Sequence, residues 1–333
     1  MAPTGFQKMH HATPGATPRV VVVGSINMDL RVRCERIPRP GETLRGTELA
    51  EIPGGKGANQ AVAAARLGAD VHMIGAVGDD VFGCRLRDSL LTAGVNCDYV
   101  STVPNCTSGV AIITVDDKGQ NAITLVPGAN RQLQSWHVLD AEEIIRQADL
   151  VLVQLEIPMD VVITALETAT RHRIITVLDP APAIQSVLPF LQFADVICPN
   201  ETEAEELSGQ AVHDASTAME AARQILCHSP EAEHRPQRCV VVTMGKDGAV
   251  YCSTDGSSHQ VKPFRTRAVD TTAAGDAFAA AMGLELAAGC KLLDAIQFGC
   301  AAGAIAASRP GAQPSMPTRE EVVELVKTRR ADD

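Results

Sequence analysis

The chain has 333 residues, with 29 lysines and arginines against 40 aspartates and glutamates, a formal charge of −11. That acidity disfavours a general affinity for nucleic acid or anionic membrane, both of which call for a basic face. The composition, 45% apolar, supplies ample core without a disordered or fibrous bias, and the longest apolar runs, such as Ala277 to Leu284, stop well short of the ~20 residues of a membrane span.

Residues 1–18, rich in Pro, Thr, Gly and His and lacking an apolar segment, read as a disordered tail and not a signal peptide. The β-branched run Arg19 to Val23 reads as a buried first strand whose exit loop is Gly24-Ser25-Ile26-Asn27-Met28-Asp29. Helical periodicity from Gly57 closes at Gly68, followed by a strand over 71–77 and a helix over 81–93. Residues 108–115 and 121–126 flank Asp116-Asp117-Lys118-Gly119-Gln120 as a β-hairpin. After Ser135, expected as an N-cap, helix and strand alternate: helix 136–148, strand 150–154, helix 160–171, strand 174–178 and strand 195–198. Helices 201–208 and 215–228, strands 239–243 and 248–252, and helices 275–288, 292–308 and 318–329 complete the chain. Alternating βαβ units predict an α/β fold, a mostly parallel sheet covered by helices, with ligands beyond the carboxyl ends of its strands. Segments 30–53 and 108–126 fit a small β flap on one large domain, 19–329, leaving 330–333 as a second tail.

The ten cysteines include no Cys-x-x-Cys pair, and no His-x-x-x-His occurs, so structural zinc is not expected. They read as reduced, buried thiols, and with no secretory or Ser-Lys-Leu address the expected compartment is the cytoplasm.

Three segments carry chemistry. Gly54-Gly55-Lys56-Gly57-Ala58-Asn59 opens a helix, where free N–H groups would face a ligand, although a tight packing turn is an equal reading of the glycines alone. Neither a Walker P-loop nor a Gly-x-Gly-x-x-Gly fingerprint occurs, which disfavours a nicotinamide dehydrogenase. Asp270-Thr271-Thr272-Ala273-Ala274-Gly275-Asp276 brings small residues to another helix start as an anion cradle. Asp276 in its first turn would gain from the helix dipole whether or not it also serves as a general base. Asn27, Asp29, Asn59 and Glu156 would converge on one crevice as partners for vicinal hydroxyls. Singly, each would pass for a loop cap or a solvated residue.

Gly54 to Asn59 and Asp270 to Asp276 resemble, in order, the two signatures of the ribokinase-type (PfkB) family of carbohydrate kinases. Residues 54–60, 127–130, 154–156, 180–183 and 311–315 resemble its ribose-phosphorylating branch. The resemblance covers about 19–329 and implies a three-layer α/β/α fold with a central mostly parallel sheet and a small β-sheet lid. It implies ATP-dependent phosphorylation of D-ribose at the 5-hydroxyl, by direct in-line transfer without a phosphoenzyme. By motif, Asn27, Asp29, Gly55, Lys56, Asn59 and Glu156 would bind the sugar, and Asp276 would be the base. Ala273, Ala274 and Gly275 would supply the anion hole, and Asn200, Thr243, Gly245, Lys246, Gly248 and Gly275 would contact the nucleotide. Glu203, from Asn200-Glu201-Thr202-Glu203, would order Mg²⁺ through water, and an N-cap reading of that motif is compatible with the metal role. Asp270, Thr272, Ala306, Arg309, Gly311 and Ser315 would form an activating K⁺ site. A homodimer packed lid on lid is also implied, since it would cover Val110, Ile112 and Ile123.

Two positions depart from the family. Thr-Ala-Ala-Gly-Asp replaces the common Thr-Gly-Ala-Gly-Asp, which keeps every N–H group, and Asp179-Pro180 stands where many relatives have Asn-Pro. One Trp, two Tyr and seven Phe, none in the sugar motifs, weaken an adenosine-kinase reading, because a flat base wants stacking side chains. 2-Deoxyribose remains a close alternative acceptor. A silent sugar binder would have no use for Asp276, and a riboside hydrolase would need a Ca²⁺-binding carboxylate cluster that Asp29 alone does not make. The scatter of the cysteines speaks against a redox role.

Overall fold

The computed structural model describes residues 17–228 and 237–332. The disordered-tail expectation for 1–18 therefore lies almost wholly outside the described residues. A run of four fully buried valines makes β1 (Arg19–Val23) an interior strand of the architecture. Val20 and Val22 face one side of the sheet and Val21 and Val23 the other, each into a separate apolar core. That two-sided burial is what a parallel sheet between helix layers requires.

In chain order, β2 (Asn27–Cys34) and β3 (Gly46–Gly54) lead to α1 (Lys56–Arg66). Next come β4 (Asp70–Gly78), α2 (Val81–Thr92), β5 (Val95–Val103), β6 (Gly109–Val115) and β7 (Asn121–Val126). The second half runs α3 (Ser135–Asp140), α4 (Glu142–Arg146), β8 (Leu150–Gln154), α5 (Met159–Arg171), β9 (Ile175–Asp179), β10 (Val196–Ile197), α6 (Glu201–Ser208) and α7 (Ala215–His228). It ends with β11 (Cys239–Thr243), β12 (Ala249–Ser253), β13 (Ser258–Val261), α8 (Ala274–Ala287), α9 (Leu292–Ala307) and α10 (Arg319–Asp332).

The nine-stranded sheet has the order β13-β12-β11-β10-β9-β8-β1-β4-β5 and is parallel from β5 through β11. β12 and β13 close its far edge in antiparallel pairing. α1, α2, α8, α9 and α10 pack on one face, and α3 to α7 on the other, so the three layers are as expected. A second sheet, β3-β2-β6-β7, forms the small β layer.

The predicted elements need five corrections. β2 begins at Asn27, so Asn27 and Asp29 stand on the small sheet itself and not in a loop leaving β1. β5 went unpredicted because Asp98 and Tyr99 interrupt its alternation, and a register shift against β4 between His72 and Ile74 absorbs the irregularity. β13 escaped because it is a short polar edge strand, Ser-His-Gln-Val. The helix expected over 136–148 is two, divided at Ala141, where tight bonds Ala141 N–H to Val138 and Ile144 N–H to Ala141 interrupt the α pattern. Ser135 is accordingly the first helical residue, and Gln134 with His137 forms the cap. α10 also continues to Asp332, past the tail expected from 330.

Leu150 is fully buried on β8 under Gly283 of α8, whose missing side chain leaves room for the leucine methyls. Leu150→Ala is expected to lower stability by about 2–5 kcal/mol, read as a fall in the denaturant midpoint at unchanged slope.

Candidate active site

The carboxyl ends of β1, β8 and β9 open against the start of α1, and side chains from far-separated positions meet there. Gly55 caps α1 with φ of 88°, and a side chain on it would strike the backbone of Ser25, Ile26 and Asn27. This close approach locks α1 to the root of the small sheet. It also uses up the helix's free N–H groups. Ala58 N–H donates to the Ser25 carbonyl (2.9 Å), Gly57 N–H to Ser25 Oγ (3.4 Å) and Lys56 N–H to Glu156 Oε2 (3.3 Å). The start of α1 therefore holds the protein's own Glu156 and not an external ligand, which favours the packing-turn reading of its glycines.

Glu156 Oε2 also accepts from Ser25 Oγ (2.5 Å) and Asn27 Nδ2 (3.4 Å). Asn27 is fixed from behind by Asn130, whose Nδ2 donates to Asn27 Oδ1 (2.7 Å) and whose Oδ1 accepts from Ile26 N–H (2.9 Å). Asp29, two residues along β2 on the same face, lines a cavity of about 260 Å³ with Arg31, Ile52, Ile113, Asp270 and Gly311. Burial, then the charges of Glu156, Asp276 and Asp270, push the Asp29 carboxyl up to about 7.

Asp276 sits in the first turn of α8 and is buried. Its Oδ2 accepts from Asn59 Nδ2 (2.9 Å) and its Oδ1 from Gln60 Nε2 (3.3 Å). Burial raises its pKa to about 6 and the charge of Glu156 adds to the rise, against the lowering pull of Lys56, Asn59 and Gln60. Asn59 Oδ1 is buried without a hydrogen-bond partner among the described residues. A buried acceptor left open beside a carboxylate suits a hydroxyl donor from outside the chain.

A second, smaller cleft of about 40 Å³ adjoins the start of α8 and is lined by Lys56, Asp179, Cys198, Asn200, Glu203, Thr243 and Gly275. Lys56 Nζ pairs with Asp179 Oδ2 at 3.7 Å, so this side chain belongs to the second cleft and only its backbone touches the predicted sugar residues. Burial works to lower the lysine's proton affinity, but Asp179, Asp276 and Glu156 outweigh it, so Lys56 stays charged. Asn200 and Glu203 form a full capping box, Asn200 Oδ1 accepting from Glu203 N–H (2.9 Å) and Glu203 Oε2 from Asn200 N–H (2.8 Å). The cap leaves the Asn200 amide N–H groups and Glu203 Oε1 for the cleft. Gly245, Lys246 and Gly248 lie in the turn beyond Thr243 and do not line it; Gly248, at φ of 90°, is required by its contact with the Val261 carbonyl.

In the cradle, Ala274 N–H turns inward to the Thr271 carbonyl (3.2 Å), while no backbone bond occupies the N–H of Ala273, Gly275 or Asp276 among the described residues. A side chain on Gly275 would stand in open space, so packing does not demand glycine there. The cradle is tied to the 307–315 segment. Val269 and Asp270 N–H donate to the Ala307 carbonyl (2.7 and 3.2 Å), and Gly311 N–H donates to Asp270 Oδ2 (3.0 Å). Asp270 Oδ1 takes both the N–H and the hydroxyl of Thr272. The predicted cation residues are thus brought into two apposed segments, with Ser315 Oγ buried and donating to the Ala312 carbonyl (2.7 Å). Arg309, by contrast, turns its guanidinium to Glu321 (2.5 Å), leaving only its backbone for that site. Arg31, unforeseen in the sequence, crosses from β2 to Asp270 at 3.7 Å and links the small sheet to the cradle.

Ser25, Gln60, Asn130, Gln154 and Asp179 were also missed as site residues. Asn130, Gln154, Gln60 and Asp179 lie inside or beside the quoted stretches, but nothing local shows that they touch one another.

The pfkB family carbohydrate kinase model matches residues 17–319. The ribokinase of Haemophilus influenzae is 40% identical over 308 residues, covering 92% of this chain and 98% of that one. The deoxyribokinase of Salmonella typhimurium is 38% identical over 260 residues, covering 78% and 82%. The structure of Arabidopsis thaliana ribokinase complexed with ribose and ATP superposes with a TM-score of 0.84 at 32% identity, over 94% of this chain and 99% of that one. The chain belongs to the pfkB family of carbohydrate kinases.

Gly55→Ala is expected to lower stability by about 1–3 kcal/mol in denaturant unfolding. Gly275→Ala is expected to leave it within about 0.5 kcal/mol while weakening nucleotide binding measured by calorimetry.

Proposed function

We propose that this chain transfers the γ-phosphoryl group of ATP to the 5-hydroxyl of D-ribose, giving D-ribose 5-phosphate and ADP. The single observation that carries the reading is Asp276, buried at the start of α8 between Asn59 and the open cradle, beside the unsatisfied Asn59 Oδ1. The family membership and the ribokinase relatives support the reaction class and the acceptor.

Asn27, Asp29, Asn59, Glu156 and the Gly55 backbone bind the sugar hydroxyls, Asp29 and Glu156 as acceptors and the two amides in either sense. Asp276 takes the proton of the attacking hydroxyl as that oxygen bonds to phosphorus. The base need not be strong, because the proton becomes acidic only in the transition state. The N–H groups of Ala273, Gly275 and Asp276 receive the phosphoryl oxygens, in line with the acceptor, and the helix dipole of α8 favours their charge. Lys56, Asn200 and Thr243 attend the phosphates from the second cleft. Attack and departure take place in one step, so no phosphoenzyme forms. Closure of the small sheet over the 260 Å³ cavity excludes water, which would otherwise compete as acceptor.

Among the described residues no cluster of three or more His, Cys, Asp or Glu side chains could hold a metal. Mg²⁺ fits this site as an ion carried chiefly by nucleotide phosphates and water, with Glu203 as its protein contact, and when bound it neutralises phosphate charge. K⁺ fits the apposed segments, whose candidate ligands are all oxygens: the Asp270 carboxylate, Ser315 Oγ and the carbonyls of Thr272, Ala306, Arg309 and Gly311. It would hold the cradle in its working shape.

No helix among the described residues is long and apolar enough to cross a membrane. All ten cysteines are free, but against the expectation of buried thiols Cys84 and Cys227 are exposed and Cys106 and Cys290 half-buried; the compartment we propose is the cytoplasm. The small sheet exposes Leu49, Ile112, Ile123, Leu125 and Val126, which supports a homodimer packed through that face.

ADP release from MgATP is expected with D-ribose, to rise with K⁺, and to drop by at least about a hundredfold in Asp276→Asn; ribose-independent release, or none, overturns the reading. Turnover confined to 2-deoxyribose or adenosine would replace the acceptor. Because Asp276 must be ionised to act, kcat/KM should fall as pH drops through about 6. In sedimentation, Ile123→Glu is expected to convert a dimer to monomers without loss of fold.

A further inference from the structure

The buried amides behind Asp276 have no part in the motif assignments. Gln60 Nε2 donates to Asp276 Oδ1 (3.3 Å) and also to Asp179 Oδ2 (3.0 Å). Gln60 Oε1 accepts from Gln154 Nε2 at 2.5 Å. Gln60 is 1% exposed and Gln154 is fully buried. Chemistry fixes the direction of this chain of bonds. In its working state Asp276 is ionised and only accepts, so Gln60 must turn its NH₂ group to it, and with it to Asp179, whose own proton affinity burial raises. Its oxygen then faces Gln154, which must present an NH₂ group in turn. The Gln154 oxygen is left buried with no partner among the described residues, against Gly24, where a Cβ would come within 1.9 Å of it. An unpartnered buried acceptor is costly, and a pair of amides kept only to fill the core would be expected to avoid it.

We propose that Gln60, oriented by Gln154, is a positioning residue for phosphoryl transfer, the two hydrogens of its one amide holding Asp276 and Asp179 together in their working orientation. Asn59 holds Asp276 Oδ2, so the carboxylate is gripped at both oxygens and cannot rotate away from the acceptor hydroxyl. The arrangement answers a need created by Asp179, a second buried acid that shares the Gln60 amide with Asp276. Two neighbouring buried carboxylates otherwise tend to share a proton, and a base carrying that proton cannot act. This inference rests on the proposed role of Asp276.

Other charged groups face the pair. Lys56 of α1 lowers the proton affinity of both acids; Glu156, after β8, raises it. Glu203 of α6 acts on Asp179, and Asp179 in turn on the Cys198 thiol, while Asp29 of β2 feels Asp276. All of these remain when Gln60 is replaced. Loss of its N–H bonds should therefore raise the proton affinity of Asp276, move the acid limb of the rate profile to higher pH, and let the rate recover as pH rises.

The test is steady-state kinetics of the full chain with D-ribose and MgATP across neutral pH, for Gln60→Met, Gln154→Met and the double variant, beside Asp276→Asn. Ribose calorimetry and thermal unfolding establish that each variant is folded. Gln60→Met is expected to lower kcat at pH 7 by about tenfold or more, with KM for both substrates changed by less than about threefold. Its acid limb should move up by about one pH unit. Gln154→Met should shift the same limb by less, and the double variant should be no worse than Gln60→Met, because Gln154 acts through Gln60. An unmoved acid limb, a loss confined to KM, or additive losses would overturn the proposal. Should Gln60→Met not fold, the limb of Gln154→Met decides in the same way. Turnover retained in Asp276→Asn would instead remove the base assignment, whereas a dead Asp276→Asn beside an unaffected Gln60→Met removes this inference alone.

Discussion

Four carboxylates, those of Asp29, Glu156, Asp179 and Asp276, are gathered at the carboxyl ends of the sheet strands, and their mutual repulsion is the constraint around which the site is built. The first turn of α1 answers most of it. The Lys56 backbone N–H holds Glu156 with help from Ser25, the Lys56 side chain supplies positive charge beside Asp179, and Asn59 and Gln60 supply uncharged donors to Asp276. This explains why a glycine-rich helix start, which resembles a phosphate site, turns inward. The phosphate-binding task is the one we propose for α8, where three N–H groups have no backbone partner among the described residues.

The small sheet is part of the same arrangement. Asn27 pairs in register with Gly54 on one side and Gly109 on the other, so the sheet's root and the proposed sugar residues are one structure. Asn130 fixes Asn27 from the body, and Arg31 reaches Asp270 from the sheet's inner face. Any movement of the small sheet over the cavity therefore acts on both the proposed sugar residues and the loop before α8. Asp270 joins three constraints at once, accepting from Thr272 and Gly311 while facing Arg31, so it ties the loop before α8 to the sheet above it.

Much of this was legible before any fold was known. The buried valine runs and their helical spacers define an α/β sheet by periodicity alone, since strand and helix patterns differ in period. Gly54 to Asn59 and Asp270 to Asp276 mark two helix starts with acidic and amide side chains beside them. The elements that went unseen, β5 and β13, are edge or irregular strands in which pairing, and not residue pattern, decides the conformation.

What the sequence by itself determined is the order of elements, the two signature segments and the identity of the chemical groups. Only the tertiary structure decided which of those groups meet. The Lys56 side chain, expected among the sugar residues, lies instead in the cleft with Asp179, Asn200 and Thr243, and Asn130, Gln60 and Gln154 acquired their partners across 103, 216 and 94 positions of chain. The physical reason is that periodicity and propensity act over a few residues, whereas a buried hydrogen bond is set by how layers pack, and its two ends carry no local sign of one another.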